Sequence, residues 1–153
     1  MVATNRSIVF GSQITHVSSG NSIAPAGISG TADNSAGTLV GSSNLSRFPL
    51  CDVALFVAPT AAVSSASTNV ILYRRDLDID ETSDEDAPDA SNKNKFMGVF
   101  NLKYATASKS YYLQMTDVPL SGGNCEFYIE NQIGVNIPAG WTLKVTPKTD
   151  SFE

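Results

Sequence analysis

Cys125-Glu126-Phe127-Tyr128-Ile129-Glu130, a turn at Ile137-Pro138-Ala139-Gly140, and then Trp141-Thr142-Leu143-Lys144-Val145-Thr146: this stretch decides the fold class. Side chains of an extended chain point alternately to opposite faces, so a period of two marks a half-buried strand. Cys125, Phe127 and Ile129 fall on one face of the first segment, with Glu126, Tyr128 and Glu130 on the other. Trp141, Leu143 and Val145 share one face of the second, with Thr142, Lys144 and Thr146 opposite. The apolar faces are expected to be buried, and Glu126, Glu130, Thr142 and Lys144 to face outward. Two strands joined in this way lie in one sheet or cross between two, and the alternation leaves that open.

Strand patterning continues on both sides of this stretch. Cys51-Asp52-Val53-Ala54-Leu55-Phe56-Val57-Ala58, closed by Pro59, reads as a central strand. Asn69 to Asp80 reads as another, its later half alternating Leu77 and Ile79 with Asp76, Asp78 and Asp80. Phe96 to Tyr104 places Phe96, Gly98, Phe100, Leu102 and Tyr104 on one face, and Ser110 to Met115 is a further strand before a turn at Asp117-Val118-Pro119. Ser121-Gly122-Gly123-Asn124 reads as a turn and Thr60 to Thr68 as a loop. No window carries a 3.6-residue period with helix start and stop signals, and there is no internal repeat. The expected architecture is all-β: a β-sandwich or small jelly roll with an extended N-terminal arm.

The arm is a matter of composition. Residues 1–46 are rich in Ser, Gly, Ala, Asn and Thr, whereas 47–153 carry the dense strand signals. Within the first part, Ser7-Ile8-Val9-Phe10 and Gln13-Ile14-Thr15-His16-Val17 read as short strands, and Ser18-Ser19-Gly20-Asn21-Ser22 and Gly27-Ile28-Ser29-Gly30-Thr31 as loops. Such a segment buries too little apolar surface to order itself, so either the body or a neighbouring chain must hold it. The expectation is an assembly arm over 1–46 and a β-sandwich body over 47–153.

The formal net charge is −5 and the pI about 4.7, which argues against a nucleic-acid partner. No apolar run reaches the roughly 20 residues of a bilayer span, so no membrane partner is expected. Met1-Val2-Ala3-Thr4-Asn5-Arg6 lacks the apolar block of a secretory signal, so synthesis in the cytoplasm is expected. Cys51 and Cys125 match no zinc spacing and are too few for a disulfide scaffold, so two buried free thiols are expected, with a disulfide possible in an oxidising medium.

The strongest local feature is an acidic run: Asp76, Asp78, Asp80, Glu81, Asp84, Glu85, Asp86 and Asp89 supply eight of the chain's fifteen acids. Asp76-x-Asp78-x-Asp80 resembles the start of a calcium loop, but Glu81 and Ala87 stand where that loop needs its Gly and its final Glu. A solvated acidic loop is the expected state, with weak divalent binding as the sharper alternative. Arg74-Arg75, the one adjacent basic pair, is read as surface side chains or as local salt-bridge partners for the run. His16, the single histidine, has no nucleophile near it in sequence and reads as an ordinary polar side chain. Gly27-x-x-Gly30 lacks the Lys and helix of a phosphate loop. Trp141 with Tyr73, Tyr104, Tyr111, Tyr112 and Tyr128 makes a sugar-stacking platform conceivable. Trp141 nonetheless reads as core, while Tyr111 and Tyr112 must point to opposite sides, one of them to solvent or a partner. No catalytic, cofactor-binding or metal residues are expected, and the chain is not read as an enzyme.

Thr116-Asp117-Val118-Pro119-Leu120, Cys125-Glu126-Phe127-Tyr128-Ile129-Glu130-Asn131 and Ile137-Pro138-Ala139-Gly140-Trp141-Thr142-Leu143-Lys144-Val145-Thr146-Pro147-Lys148 resemble small structural proteins of tailed bacteriophages. The resemblance covers Thr116 to Lys148 and implies a virion component, in first place a capsid decoration (cement) protein on the capsid surface. Such proteins are commonly β-rich and trimeric, so the implied partners are the major capsid protein and further copies of the chain. A tail, neck or baseplate component and a carbohydrate- or receptor-binding module are the alternative readings.

Overall fold

The computed structural model describes residues 6–30, 33, 48–77, 83–120 and 124–152, with the backbone alone at Arg6, Ser151 and Phe152. The alternating segments form antiparallel strands: β1 (Arg6–Phe10), β2 (Ile14–Gly20), β3 (Leu50–Val57), β4 (Asn69–Leu77), β5 (Lys95–Asn101), β6 (Tyr111–Pro119), β7 (Asn124–Gln132) and β8 (Trp141–Phe152). One sheet runs β1-β8-β3-β6, with β2 also on β8; the other runs β5-β4-β7. The two sheets pack face to face as a β-sandwich. β7 and β8 therefore cross between sheets, which settles the alternative that the alternation left open.

The core lies between the sheets. Val53, Leu55, Val57, Leu143, Val145 and Trp141 face it from one side, and Val70, Leu72, Phe100, Cys125, Phe127 and Ile129 from the other. Val63, Leu102, Ile133 and Ile137 fill its ends from the loops. The period-two expectation for the inward faces of β7 and β8 thus holds, and Lys144 is exposed as expected.

The outward faces differ from expectation on β7. Glu126, Tyr128 and Glu130 are buried too. The segment 83–94 folds back over the outer face of β4 and β7, with Pro88 buried and the Glu85 and Asp86 carbonyls accepting from Arg75 and Asn94. This strand is covered on both faces, so its polar residues needed partners rather than water.

Three of the four register shifts in the described sheets move side chains off the predicted faces. Thr15 pairs with Lys144 and Val17 with Leu143, leaving His16 as the extra residue; both His16 and Val17 then turn inward. Met97 is extra between Gly98, opposite Leu72, and Phe96, opposite Tyr73. Phe96 accordingly lies outside, 59% exposed, and does not share the inward face of Phe100 and Leu102; Tyr104 is exposed as well. Thr116 and Asp117 oppose Asp52 between the pairs Val53–Met115 and Cys51–Val118. Asp117 adopts φ 58°, a conformation that Asp tolerates, and β6 continues to Pro119 where a turn was expected.

Part of the N-terminal segment pairs with the rest of the chain. Of the arm expected over 1–46, residues 6–30 belong to the sandwich: β1 and β2 pair with β8, and β2 runs on to Gly20 through the expected Ser18-Ser19 loop. Beyond β2 the chain crosses to the far edge of β7. There the Ile129 N–H donates to Ser29 Oγ (3.0 Å) and the Asn131 N–H to the Gly27 carbonyl (2.9 Å), while the Phe127 N–H donates to Nε2 of His16, still within β2 (3.0 Å). The Ala26 and Ser29 N–H groups return bonds to the Asn131 and Ile129 carbonyls (2.7 and 2.9 Å). The loop glycine Gly27 thus serves edge capping. A sheet edge left open would strand these groups, and the polar, small-residue segment closes it. Residues 1–5, 31, 32, 34–47, 78–82, 121–123 and 153 lie outside the described residues, and with them the rest of the expected arm, Asp78, Asp80 and Glu81, and the Ser121-Gly122-Gly123 turn.

Candidate functional site

The acidic run and the two arginines meet on the three-stranded sheet. Arg74 pairs with Asp76 (2.8 Å) and donates to the Pro119 carbonyl (2.8 Å), tying the end of β4 to β6. Arg75 reaches Glu126 (3.3 Å) and Asp84 (3.6 Å). Lys95 joins Asp76 to Glu85, and Glu85 closes the loop on β4 by a reciprocal pair of bonds with the Asp76 backbone. The local salt-bridge reading of Arg74-Arg75 therefore holds. Burial raises the pKa of Asp76, but Lys95 and Arg74 outweigh it and hold the carboxyl below its usual range. Glu85 is held low in the same way by the Asp76 N–H and Lys95.

A second buried carboxylate anchors the outer face. Glu130 accepts from the Tyr73 hydroxyl (2.8 Å), Lys93 (2.8 Å) and Gln132 (2.7 Å). Burial opposes its charge, yet these donors keep it ionised below the usual range, while burial and the same carboxylate push Tyr73 up to about 12. Asp76, Asp84, Glu85, Glu126 and Glu130 are thus each engaged by a cation of the same fold. Among the described residues no group of three His, Cys, Asp or Glu side chains is arranged to hold a metal ion.

His16 is buried in the core, not at the surface where an ordinary polar histidine would sit. Its Nε2 accepts the Phe127 N–H, so the proton of the neutral ring sits on Nδ1, which has no hydrogen-bond partner among the described residues. Burial lowers its pKa from 6.5 to about 4, against the raising influence of Glu126. A depressed value means stability that is full above pH 6.5 and is lost as pH falls through the interval down to about 4. That interval corresponds to a loss of about 3 kcal/mol. The carboxylates held low act in the same direction but at lower pH. Urea melts at about pH 7.5 and about pH 4.5 should therefore show a stability loss in the wild type that His16→Gln largely removes. An equal loss in both proteins would exclude His16 as the source.

Cys51 and Cys125 are free and buried, as expected. Burial and the neighbouring Cys125 push the Cys51 thiol far up, so it is an inert core group. Trp141 is core: its Nε1 donates to the Asn21 carbonyl (2.8 Å). Tyr111 is buried with its hydroxyl on the Lys103 carbonyl (2.8 Å), while Tyr112, on the opposite side as expected, is 81% exposed.

Besides β5, an edge strand that exposes Phe96 and Val99, two surfaces of the described residues present large apolar side chains to solvent. The first is β1, which among the described residues pairs with β8 alone and exposes Ile8 (55%), Val9 (43%) and Phe10 (56%). The second is the outer face of the five-stranded sheet, where Phe56 lies against Tyr112 with ring centroids 4.8 Å apart. The strand Ser7–Phe10 was legible; its exposure was not, because a short apolar strand reads the same at an edge as in a core. Phe56 was hidden in the apolar run of β3, whose burial alternates although its hydropathy barely does.

No family model, curated protein or solved structure matches the chain.

Proposed function

We propose that the chain is a non-enzymatic structural protein of a tailed bacteriophage virion, a capsid decoration protein that docks on the major capsid protein and stabilises the lattice as a homo-oligomer. The observation that carries this reading is β1. An edge strand with unpaired main-chain groups is a template for another chain. Natural monomers blunt such edges with Lys, Pro or short polar strands, whereas Ser7-Ile8-Val9-Phe10 puts large apolar side chains on both faces. Strand addition supplies affinity through main-chain hydrogen bonds, and the alternating side chains supply specificity. The resemblance of Thr116–Lys148 to phage structural proteins supports the choice of partner.

The test is binding to undecorated capsids. Ile8→Lys combined with Phe10→Lys should abolish capsid decoration while leaving the denaturation midpoint within about 0.5 kcal/mol of wild type, as exposed substitutions do. Undiminished decoration by the variant would remove β1 from the interface, and failure of the wild-type protein to bind capsids would remove the reading itself.

A further inference from the structure

We propose that the outer face of the five-stranded sheet carries a saccharide-binding site for a sugar bearing a carboxylate, such as a hexuronic or sialic acid, centred on Ala54 and walled by Phe56 and Tyr112. The site follows from strand register. Thr142, Phe56 and Tyr112 form one cross-strand row on β8, β3 and β6, and Lys144, Ala54 and Gln114 form the next. Ala54 is the short residue between Phe56 on its own strand and the long side chains of Lys144 and Gln114 beside it. The result is a depression of about 590 Å³ on a solvent-facing sheet, with Gln13 at its rim.

The chemistry of the lining selects the ligand class. A pyranose presents a face of C–H groups that packs on aromatic rings and an equator of hydroxyls that needs amide and hydroxyl partners. Phe56 and Tyr112 are inclined by 39° to each other, forming an open aromatic wall, and Tyr112 holds it out with 81% of its surface in solvent. A tyrosine held out beside a second aromatic offers an apolar face with a polar tip to a ligand. Gln114, Thr142 and Gln13 offer amide and hydroxyl groups around the floor. Lys144 adds the charge: among the described residues it makes no ion pair, and Asp52, two residues before Ala54 on β3, is held by Lys148 (2.5 Å). In a chain of net charge −5 this is a local cation facing solvent beside an aromatic wall, complementary to a sugar carboxylate. The site lies on the face of β3, β6 and β8, so it does not depend on how β1 docks.

The test is a titration of the ¹⁵N-labelled full chain with sialyllactose and with digalacturonic acid, each beside lactose as an uncharged control. Shifts confined to the Ala54, Phe56, Tyr112, Thr142 and Lys144 amides are expected with at least one of the acidic sugars, and lactose, which lacks the partner for Lys144, should bind at least about threefold more weakly. Tyr112→Ala should weaken that binding by about tenfold or more, and Lys144→Ala by about threefold, as loss of one exposed ion pair does. Ala54→Phe, which fills the depression, should abolish it. Both exposed-residue variants should keep the wild-type melting midpoint, so lost binding reports the site and not the fold. Lactose binding with the same affinity as the acidic sugars, no shifts with either acidic sugar, or binding that survives Ala54→Phe would each overturn the assignment.

Discussion

Trp141→Ala is expected to lower stability by about 3–5 kcal/mol, the range of large aromatic truncations in a core. Trp141 is the largest fully buried side chain and opens β8 between the two sheets. Its indole lies on Gly20, its cross-strand partner on β2, and its Nε1 bonds the next carbonyl, Asn21. A Cβ at Gly20 would stand 2.0 Å from the indole Cε2, so this contact exists only because position 20 has no side chain. Truncation would remove the ring's contacts, open a cavity and orphan the Asn21 carbonyl, all at the point where the N-terminal segment leaves one sheet for the other. The loss is a large share of the 5–15 kcal/mol, roughly, that holds a domain together. Gly20→Ala should strike the same contact from the other side and cost about 1–3 kcal/mol through overpacking. Lys144→Ala, three residues from Trp141 on the exposed face, should cost under about 0.5 kcal/mol. Urea melts of the three variants check this, and an unchanged midpoint for Trp141→Ala would mean that the indole does not pin β2 to β8.

Arg75→Met is the second large effect, expected at about 3–5 kcal/mol, the cost of removing one partner of a buried ion pair. Arg75 and Glu126 are each nearly nine-tenths buried, and Glu126 keeps only the Tyr128 hydroxyl (2.5 Å) once the guanidinium is gone. The same substitution releases the Glu85 carbonyl and Asp84, so the covering segment 83–94 loses its hold on β4. Adding Glu126→Gln should restore a large part of the loss, because the neutral amide no longer needs a cation; the coupling is read from a double-mutant cycle. A cost under about 1 kcal/mol for Arg75→Met would show that water reaches Glu126 and that the segment is no true cover.

These two sites mark the boundary of what patterning reveals. The inward faces of β7 and β8 were legible because a strand has period two and the apolar residues keep it: Cys125, Phe127, Ile129, Trp141, Leu143 and Val145 all lie in the core. The outward face of β7 was not. Glu126 and Glu130 look like solvent-facing residues in any local window, and they are buried because a loop forty residues away in sequence folds over them. The charge in that loop was conspicuous, but its destination was not, since an ion pair between Arg75 and Glu126 depends on which strands are neighbours.

Composition, period and turn residues by themselves determined an all-β chain, the strands and most of their inward faces, the two buried thiols and the local pairing of Arg74 and Arg75 with acids. Those properties depend on a few residues at a time. Tertiary structure alone decided that β7 and β8 belong to different sheets, that residues 6–30 complete the sandwich instead of leaving it, that His16 enters the core, and that Phe56 and Tyr112 share one outer row. Each of these turns on register: a single extra residue at His16, Met97 or Thr116–Asp117 shifts which face every following side chain takes. Register is set by pairing between residues far apart in the chain, where no local window of sequence holds both partners.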